Sequence, residues 1–152
     1  MTLSRGITYT LHKLGFLMDK IGDTTLQKHF QMTFSQFKIL IAINHKKDAS
    51  QRDIADFWDM TEAAVSRQIE ILMNKKLVAR RENKENRREH LLNLTQSGLK
   101  SLDKATKLLD QEYGKIYSVI PLEEQKILVN NLDTLLQTIC RGEPHSFCND
   151  TP

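Results

Sequence analysis

Residues 61–76, TEAAVSRQIEILMNKK, form the stretch of sequence that decides the fold. Its apolar side chains recur at i, i+4, i+7 and i+8, the spacing of one buried stripe on an α-helix. Thr61 is a predicted N-cap. The first two turns of the opposite face carry only short or hydrogen-bonding side chains, as a recognition helix needs to enter a DNA major groove. Any amphipathic surface helix shares this pattern, so the neighbouring sequence must decide between the two interpretations. The apolar stripe is Val65, Ile69, Leu72 and Met73, and the polar face is Thr61, Glu62, Ala63, Ser66, Arg67 and Glu70, with Gln68 at its border.

The sequence before this helix predicts two further helices and a tight turn. Thr33 and Gln36 form a T-x-x-Q capping box ahead of a mostly apolar helix, which we expect to lie in the core. Ser50 and Asp53 repeat the pattern for a short helix that ends before a turn at residues 59–60. The order helix, turn, helix predicts a helix-turn-helix unit.

A basic segment follows the proposed recognition helix. Residues 75–88 contain seven Lys or Arg and two Glu, a local charge of +5 against +3 for the whole chain. Residues 77–80 and 90–94 are predicted strands on either side of a polar turn. Two strands around a basic tip would form a wing whose Arg87 and Arg88 reach a minor groove or phosphates. A solvated basic loop is the alternative.

Apolar seams extend beyond this lobe at both ends of the chain. A heptad-like stripe over residues 3–30 predicts a long helix, with a kink or break at residues 22–23. Thr95 is a predicted N-cap of a second long helix that reaches residue 120, and Pro121 falls in the first turn of a third.

These extra seams predict a dimer. A winged helix uses roughly 70 residues and cannot bury three additional seams by itself. We therefore expect a mainly α (α+β) winged helix-turn-helix, in which the N- and C-terminal helices intertwine across a two-fold axis. The alternative is a monomer in which these helices fold onto the lobe. The predicted layout is one domain over residues 1–152, with dimerisation helices at 1–30 and 96–141, a winged lobe at 33–94 and a tail at 142–152.

Composition excludes several classes of protein. The 152 residues are 39% apolar and 27% charged, as in an ordinary soluble globular domain. No apolar run is long enough for a membrane span, and the N-terminus does not resemble a signal peptide, so we expect a cytoplasmic protein. The sequence has no phosphate-binding glycine loop, H-E-x-x-H motif or nucleophile elbow. We expect neither an enzyme nor a cofactor.

Two stretches together resemble the multiple antibiotic resistance regulator (MarR) family. They are MTFSQFKILIAI, residues 32–43, and SQRDIADFWDMTEAAVSRQIEILMNKKLVARRENKENRREHLLNLTQSG, residues 50–98. The resemblance implies a homodimeric transcription regulator that binds palindromic operators in double-stranded DNA. Members are often repressors relieved by small molecules or oxidation. A winged-helix module that binds a protein partner is the alternative, and the salt dependence of binding separates the two.

The resemblance also implies which residues contact DNA. It puts Ser66, Arg67 and Gln68 in the major groove, where Arg67 would pair with guanine and Gln68 with adenine, each contact contributing roughly 1–3 kcal/mol of discrimination. Thr61 and Ser50 would lie near phosphates. The complete set of expected DNA-binding residues is Ser50, Thr61, Ala63, Ser66, Arg67, Gln68, Lys75, Arg87 and Arg88.

The chain departs from the family pattern in two regions, the wing and the end of the recognition helix. In the wing, Asn86 stands where the family's D-x-R motif has an aspartate that orients the wing arginine, here Arg88, and Asn83 stands at the position of another usual aspartate. Lys76 replaces the glycine that usually ends the recognition helix in a left-handed conformation, at a cost on the order of 1 kcal/mol. Neither departure changes the expected fold.

Two sensing mechanisms are open. The family's ligand position, between dimerisation helices and lobe, points to His12, Phe16, Phe30 and Phe37, although aromatic residues at helical spacing are usually core. Near the C-terminus, Cys140, His145 and Cys148 have the spacing C-x4-H-x2-C. They could supply three zinc ligands, or the two thiols could close a redox disulfide. The alternative is a simple tail.

Overall fold

The computed structural model describes residues 2–84, 86 and 90–142. Six helices and one two-stranded antiparallel sheet make up this part of the chain. In chain order they are α1 (Leu3–Phe30), α2 (Phe34–His45), α3 (Gln51–Trp58), α4 (Glu62–Asn74), β1 (Val78–Glu82), β2 (His90–Leu94), α5 (Gln96–Tyr117) and α6 (Leu122–Gly142). None of these helices is long and apolar enough to cross a membrane.

Local capping chemistry determines where four helices begin. The predicted N-caps Thr33, Ser50, Thr61 and Thr95 are confirmed, each accepting a hydrogen bond from the amide three residues on. The boxes at Thr33 and Ser50 are reciprocal, because the side chain at the third helical position bonds back to the cap amide. Capping depends on residues within one turn, so the sequence alone was sufficient to find these helix starts.

The sequence predicted a kink or break at residues 22–23, and a break is wrong, since α1 is continuous from Leu3 to Phe30. Gly22 is buried, and a Cβ there would lie 2.7 Å from Oη of Tyr113 and 2.8 Å from Cδ2 of Phe34. Asp23 accepts a hydrogen bond from the Phe34 amide at 2.9 Å. The glycine therefore allows α2 and α5 to pack closely on α1, and the aspartate binds the start of α2.

The core surrounds α4. Val65, Ile69 and Leu72 are each at most 1% exposed, which confirms the apolar stripe, and Met73 is half-buried at its edge. The remaining fully buried large side chains come from α1, the α1–α2 connection, α2, α3 and β2: Leu26, Met32, Ile39, Leu40, Ile54 and Leu92. The recognition helix is thus fixed by packing on one face, while its other face is left to solvent.

The wing is a β-hairpin whose second strand also makes a backbone hydrogen bond to the connection between α2 and α3. Its strands pair in the register from Val78 opposite Leu94 to Glu82 opposite His90. The first strand begins one residue later and ends two residues later than the predicted 77–80, whereas the second matches 90–94. The Leu92 amide donates to Ala49 O at 2.8 Å, which ties the sheet to the α2–α3 connection.

The C-terminal helices leave most of their apolar surface exposed. Helix α5 ends at Tyr117, three residues before the predicted end, and Pro121 precedes α6, its carbonyl accepting from the Gln125 amide at 3.0 Å. Along residues 122–141 no side chain is buried. The large apolar residues of α1 and α6 that are solvent-exposed range from 38% to 82% exposure. In one chain, therefore, α6 does not fold back onto the winged lobe.

Candidate nucleic-acid interface

The first turns of α4 present a polar, sterically open face. The Thr61 hydroxyl accepts from the Ala64 amide at 3.2 Å, so the helix begins with its early side chains outside the core. Thr61, Ala63 and Arg67 are exposed, and Ser66 is half-buried. Because the opposite stripe is packed in the core, these side chains keep a fixed direction relative to the lobe.

Gln68 differs from its neighbours because part of its amide is already engaged. The side chain is half-buried, and its Oε1 accepts a hydrogen bond from Nε2 of Gln36 at 3.2 Å. Gln36 is itself only 5% exposed. The capping role of Gln36 could be predicted from its spacing, whereas its contact with α4 spans 32 residues and has no local signal.

Ser50 and Lys75, two of the expected DNA contacts, both make hydrogen bonds within the fold. Ser50 is 6% exposed, and its hydroxyl donates to Asp53 Oδ2 at 2.9 Å and accepts from the Asp53 amide at 3.1 Å. Lys75 Nζ donates to the carbonyl oxygen of Gln31, at the end of α1, and to Gln36 Oε1 at 3.3 Å. Ser50 is therefore a buried cap, and Lys75 joins α4 to α1 and α2.

Electrostatics reinforces the cap of α3. Burial raises the pKa of the Asp53 carboxyl, but hydrogen bonds from Lys46 and from the amide and hydroxyl of Ser50 outweigh burial and leave the pKa below its ordinary value. Lys46 Nζ lies 2.6 Å from Asp53 Oδ1. The carboxylate is thus held ionised at the start of the first helix of the helix-turn-helix unit.

The base of the wing contains a polar clamp that sequence reasoning missed. Asp48 has a left-handed backbone with φ 57°, and its carboxylate lies 2.6 Å from Arg81 Nη2 and 2.6 Å from Asn93 Nδ2. The Asp48 amide donates to Asn93 Oδ1 at 3.1 Å. Hydrogen bonds from Asn93 and Arg81 lower the pKa of Asp48. The clamp sets the position of both wing strands against the lobe, and it pairs one of the basic residues of the wing with a carboxylate.

The wing tip is only partly described. Arg80 and Lys84 are exposed, whereas the predicted contacts Arg87 and Arg88 lie outside the described residues, as does Glu89. Lys76 has φ 59°, so it adopts the left-handed conformation expected at the end of the recognition helix despite its side chain.

The four predicted effector residues line three different cavities in one chain. Phe37 lines a cavity of about 570 Å³ between α2 and α5, and Phe30 lines one of about 280 Å³ beside Lys75. His12 and Phe16 border a third, of about 560 Å³, which also touches Ile139. The four residues therefore do not form one pocket within a single chain.

The candidate redox or metal residues are described only at Cys140. Its sulfur is in a disulfide, so it is not a thiolate ligand in this state. His145 and Cys148 lie outside the described residues. Within residues 2–84, 86 and 90–142, no group of three or more His, Cys, Asp or Glu side chains could hold a metal ion.

The helix-turn-helix α3–α4, followed by the hairpin β1–β2 and flanked by long helices, defines a winged helix-turn-helix protein. Residues 30–89 match the family described as "MarR family". The HTH-type transcriptional regulator BilQ of Clostridium symbiosum (strain WAL-14163) is 30% identical over 109 residues, covering 72% of this chain and 73% of that protein. The chain belongs to the MarR family, and it is a transcription regulator with a DNA-binding winged helix, not an enzyme.

Solved structures share the whole architecture. A crystal structure of a MarR mutant from E. coli superposes with a TM-score of 0.79 at 21% identity, covering 90% of this chain and 97% of that one. The S. aureus MepR–DNA complex superposes with a TM-score of 0.73 at 26% identity, covering 91% of this chain and 98% of that one. The expected mainly α winged-helix fold is confirmed.

Proposed function

We propose that this regulator is a homodimeric repressor that reads a pseudo-palindromic operator through α4. The observation that carries the proposal is the outward face of α4, where Thr61, Ala63 and Arg67 are exposed on a helix whose other face is buried. Small side chains flank the arginine, so the helix can approach base edges without steric obstruction. The related MepR was solved as a complex with DNA, which supports the same use of this lobe.

Base reading would come from Ser66 and Arg67 on α4, with Gln68 at the border of the surface. A guanidinium that donates two hydrogen bonds to guanine contributes roughly 1–3 kcal/mol of discrimination. Arg87 and Arg88 of the wing would contact the adjacent backbone or minor groove, where their charge adds affinity more than sequence preference.

Dimerisation is supported by the apolar surface that one chain leaves exposed. A groove of about 600 Å³ runs between the first half of α1 and α6, and most of its lining is aliphatic. Leu3, Leu14 and Leu135 in this groove are 82%, 52% and 47% exposed. A second copy would bury these side chains and would hold two α4 helices about one DNA turn, roughly 34–36 Å, apart.

Regulation would act on that spacing. The cavity between α2 and α5 is the best candidate for an effector site, because it combines aromatic walls from Phe34, Phe37 and Tyr113 with the carboxylates Asp103 and Asp110. A small molecule releases the operator only if it binds the DNA-incompetent spacing more tightly. A change in the oxidation state of Cys140, whose sulfur is in a disulfide, is a second candidate signal on the same helices. A regulator of this kind would work in the cytoplasm, where the DNA is.

Selection of double-stranded DNA from a random pool tests this function, with the affinities of the selected sequences followed across a salt series. We expect an inverted repeat with half-sites about one turn apart, and an affinity that falls steeply as salt rises because each neutralised phosphate releases counterions. If the folded protein enriches no sequence, or if its affinity for DNA does not depend on salt concentration, the result would instead support a protein-interaction module.

A further inference from the structure

Lys75 lies at the junction between the reading helix and the helix that leads into the proposed dimer region. We propose that Lys75 is a positioning residue for DNA binding. Its ammonium group fixes α4 relative to α1, and thereby sets the separation of the two α4 helices in the dimer, without contacting DNA. The inference rests on the proposed function, since it requires a dimer that reads DNA through α4. It replaces the expectation that Lys75 itself contacts DNA.

One ammonium group connects three helices. Lys75 is the C-cap residue of α4, and its Nζ donates to the carbonyl oxygen of Gln31, the C-cap residue of α1. The same Nζ donates to Oε1 of Gln36 at 3.3 Å, in the capping box that begins α2. A cation is favoured at this place, because the carbonyl groups at the end of a helix carry partial negative charge. Both bonds are charge-assisted, which makes them stronger than bonds between neutral groups.

The two acceptors belong to a rigid joint between α1 and α2. The Gln31 amide closes α1 on the carbonyl oxygen of Gln27 at 3.1 Å, and Met32 is 1% exposed. The Thr33 amide donates to the same Oε1 of Gln36 at 3.3 Å. The joint therefore has little freedom of its own, and a group that is bonded to it takes its position from α1.

Helix α1 carries that position to the proposed dimer. It is one unbroken helix of 28 residues, whose first half lines the exposed apolar groove and whose C-cap carbonyl is the acceptor for Lys75. The apolar stripe of α4 holds that helix in the core, but contacts between aliphatic side chains have no directional preference. Hydrogen bonds are directional. The bonds of Lys75 therefore define one setting of α4 along and around its axis.

The length of α4 makes this setting important for DNA. Its 13 residues span about 20 Å, from Lys75 to the exposed first turn. A tilt of about 10° around the Lys75 end would move the first turn by about 3.5 Å, close to the rise of one base pair, about 3.4 Å. Lys75 lies about 12 Å along the helix from Arg67, so its effect on base reading comes through the position of the helix.

The test compares operators that differ only in the spacing of their half-sites. The inverted repeat that the wild-type protein selects is made with its own spacing and with one base pair added or removed, and the full-length wild-type and Lys75→Met proteins are measured on each. On an altered spacing, wild-type α4 must move and break a bond of Lys75, whereas the variant has no such bond. The ratio of affinities, selected over altered spacing, should therefore fall about tenfold in Lys75→Met, the factor for one hydrogen bond to a charged group. A merely structural role would lower both affinities equally and leave the ratio unchanged.

A salt series separates positioning from a phosphate contact. Loss of a lysine that neutralises a phosphate reduces the slope of log affinity against log salt by about 0.9. On the selected operator, the slope for Lys75→Met should equal that of the wild-type protein. Lys76→Met is the matched control, because it removes the same charge from the next residue, whose exposed side chain makes no hydrogen bond or ion pair within the described part of the chain. It should keep the wild-type spacing ratio. Each variant is checked for folding by circular dichroism.

The outcomes separate the inference from the proposed function. A lower spacing ratio with an unchanged salt slope in Lys75→Met supports the inference. An unchanged ratio or a reduced slope in the folded variant overturns it, and so does an equal fall of the ratio in Lys76→Met. In those cases the enriched inverted repeat still supports the proposed function. If Lys75→Met does not fold, lysine acetylation of the wild-type protein with and without operator decides, since protection of Lys75 by DNA overturns the inference and unchanged reactivity supports it. Failure of the wild-type protein to enrich an inverted repeat overturns both proposals.

Discussion

Gly98 provides the sharpest test of how α5 is joined to the winged lobe. A Cβ at this position would lie 2.0 Å from the backbone oxygen of Leu77, just beyond the end of α4. The same oxygen accepts from the Thr95 amide at 3.0 Å and from the Thr95 hydroxyl at 3.2 Å. We predict that Gly98→Ala destabilises the protein, because two backbone segments that are bonded to each other must move apart by more than 1 Å, roughly the difference from van der Waals contact.

The expected size follows from two opposing effects. Separating the segments weakens one or two hydrogen bonds to a carbonyl at a cost of about 1–3 kcal/mol each, and overpacking costs a similar amount. Replacing glycine by alanine within a helix returns about 0.5–1 kcal/mol. The net loss should be about 2–4 kcal/mol, which corresponds to a fall of at least about 4 °C in Tm for a chain of this size.

Gly114 is the matched control, since it lies on the same helix and a Cβ there meets nothing within 4 Å. Gly114→Ala should raise the free energy of unfolding by up to about 1 kcal/mol. Urea and thermal unfolding of both variants are compared at one protein concentration, because the proposed dimerisation would make Tm depend on concentration. Equal midpoints for the two variants would refute the close approach of α5 to the end of α4.

Three other predictions test the DNA-reading face, the α3 cap and the wing clamp. Arg67→Ala should lower the free energy of binding to the best operator by roughly 1–3 kcal/mol and relax the base preference at one operator position, whereas Arg88→Ala should weaken binding to all sequences evenly. Competition binding across operator variants measures both effects. Base reading by Arg67 would be contradicted if the two variants lost affinity equally across those operators. Asp53→Asn should lower the free energy of unfolding at neutral pH, and the difference from the wild-type protein should disappear as pH falls below the ordinary value of 3.8 and through the folded-state pKa of Asp53. The pKa of folded Asp53 lies below its ordinary 3.8, so the stability from the ionised group is present above that value and is lost as pH falls through the folded-state pKa. A gap in unfolding free energy that is independent of pH would contradict this. In Asp48→Asn the new side chain is compatible with the left-handed backbone at this position, but the ion pair to Arg81 is lost. Backbone amide hydrogen exchange in β1 and β2 should therefore become faster. Unchanged exchange rates in these strands would contradict the role of the clamp.

Features with a local cause could be predicted from the sequence. The caps at Thr33, Ser50, Thr61 and Thr95 depend on a side chain and an amide three residues away, and all four were found. The left-handed Lys76 followed from its place at the end of the recognition helix. The apolar stripe of α4 followed from helical period alone.

Features that depend on distant packing could not be predicted. Gly22 suggested a break, because nothing within its own helix indicates that Tyr113, some ninety positions later, needs the space. Lys75 lies in a run of positive charge, and nothing near it in the sequence indicates that its ammonium group donates to the Gln31 carbonyl at the C-cap of α1. The predicted effector residues show the same limit, since His12 on α1 and Phe37 on α2 line separate cavities in one chain, which only the tertiary packing reveals.

The two ends of the lobe's recognition helix therefore have different constraints. Its first turn is capped by Thr61 and has exposed side chains, whereas the two residues just beyond its last turn are bonded to the end of α1 and the start of α5. Lys75 reaches the end of α1, and the Thr95 hydroxyl at the start of α5 donates to the Lys76 carbonyl at 2.7 Å. Because α1 and α5 extend into the proposed dimer region, a rotation of those helices must turn α4 with them or break these bonds. In the proposed dimer, this linkage would let an effector bound away from DNA change the spacing of the two reading helices without contacting either of them.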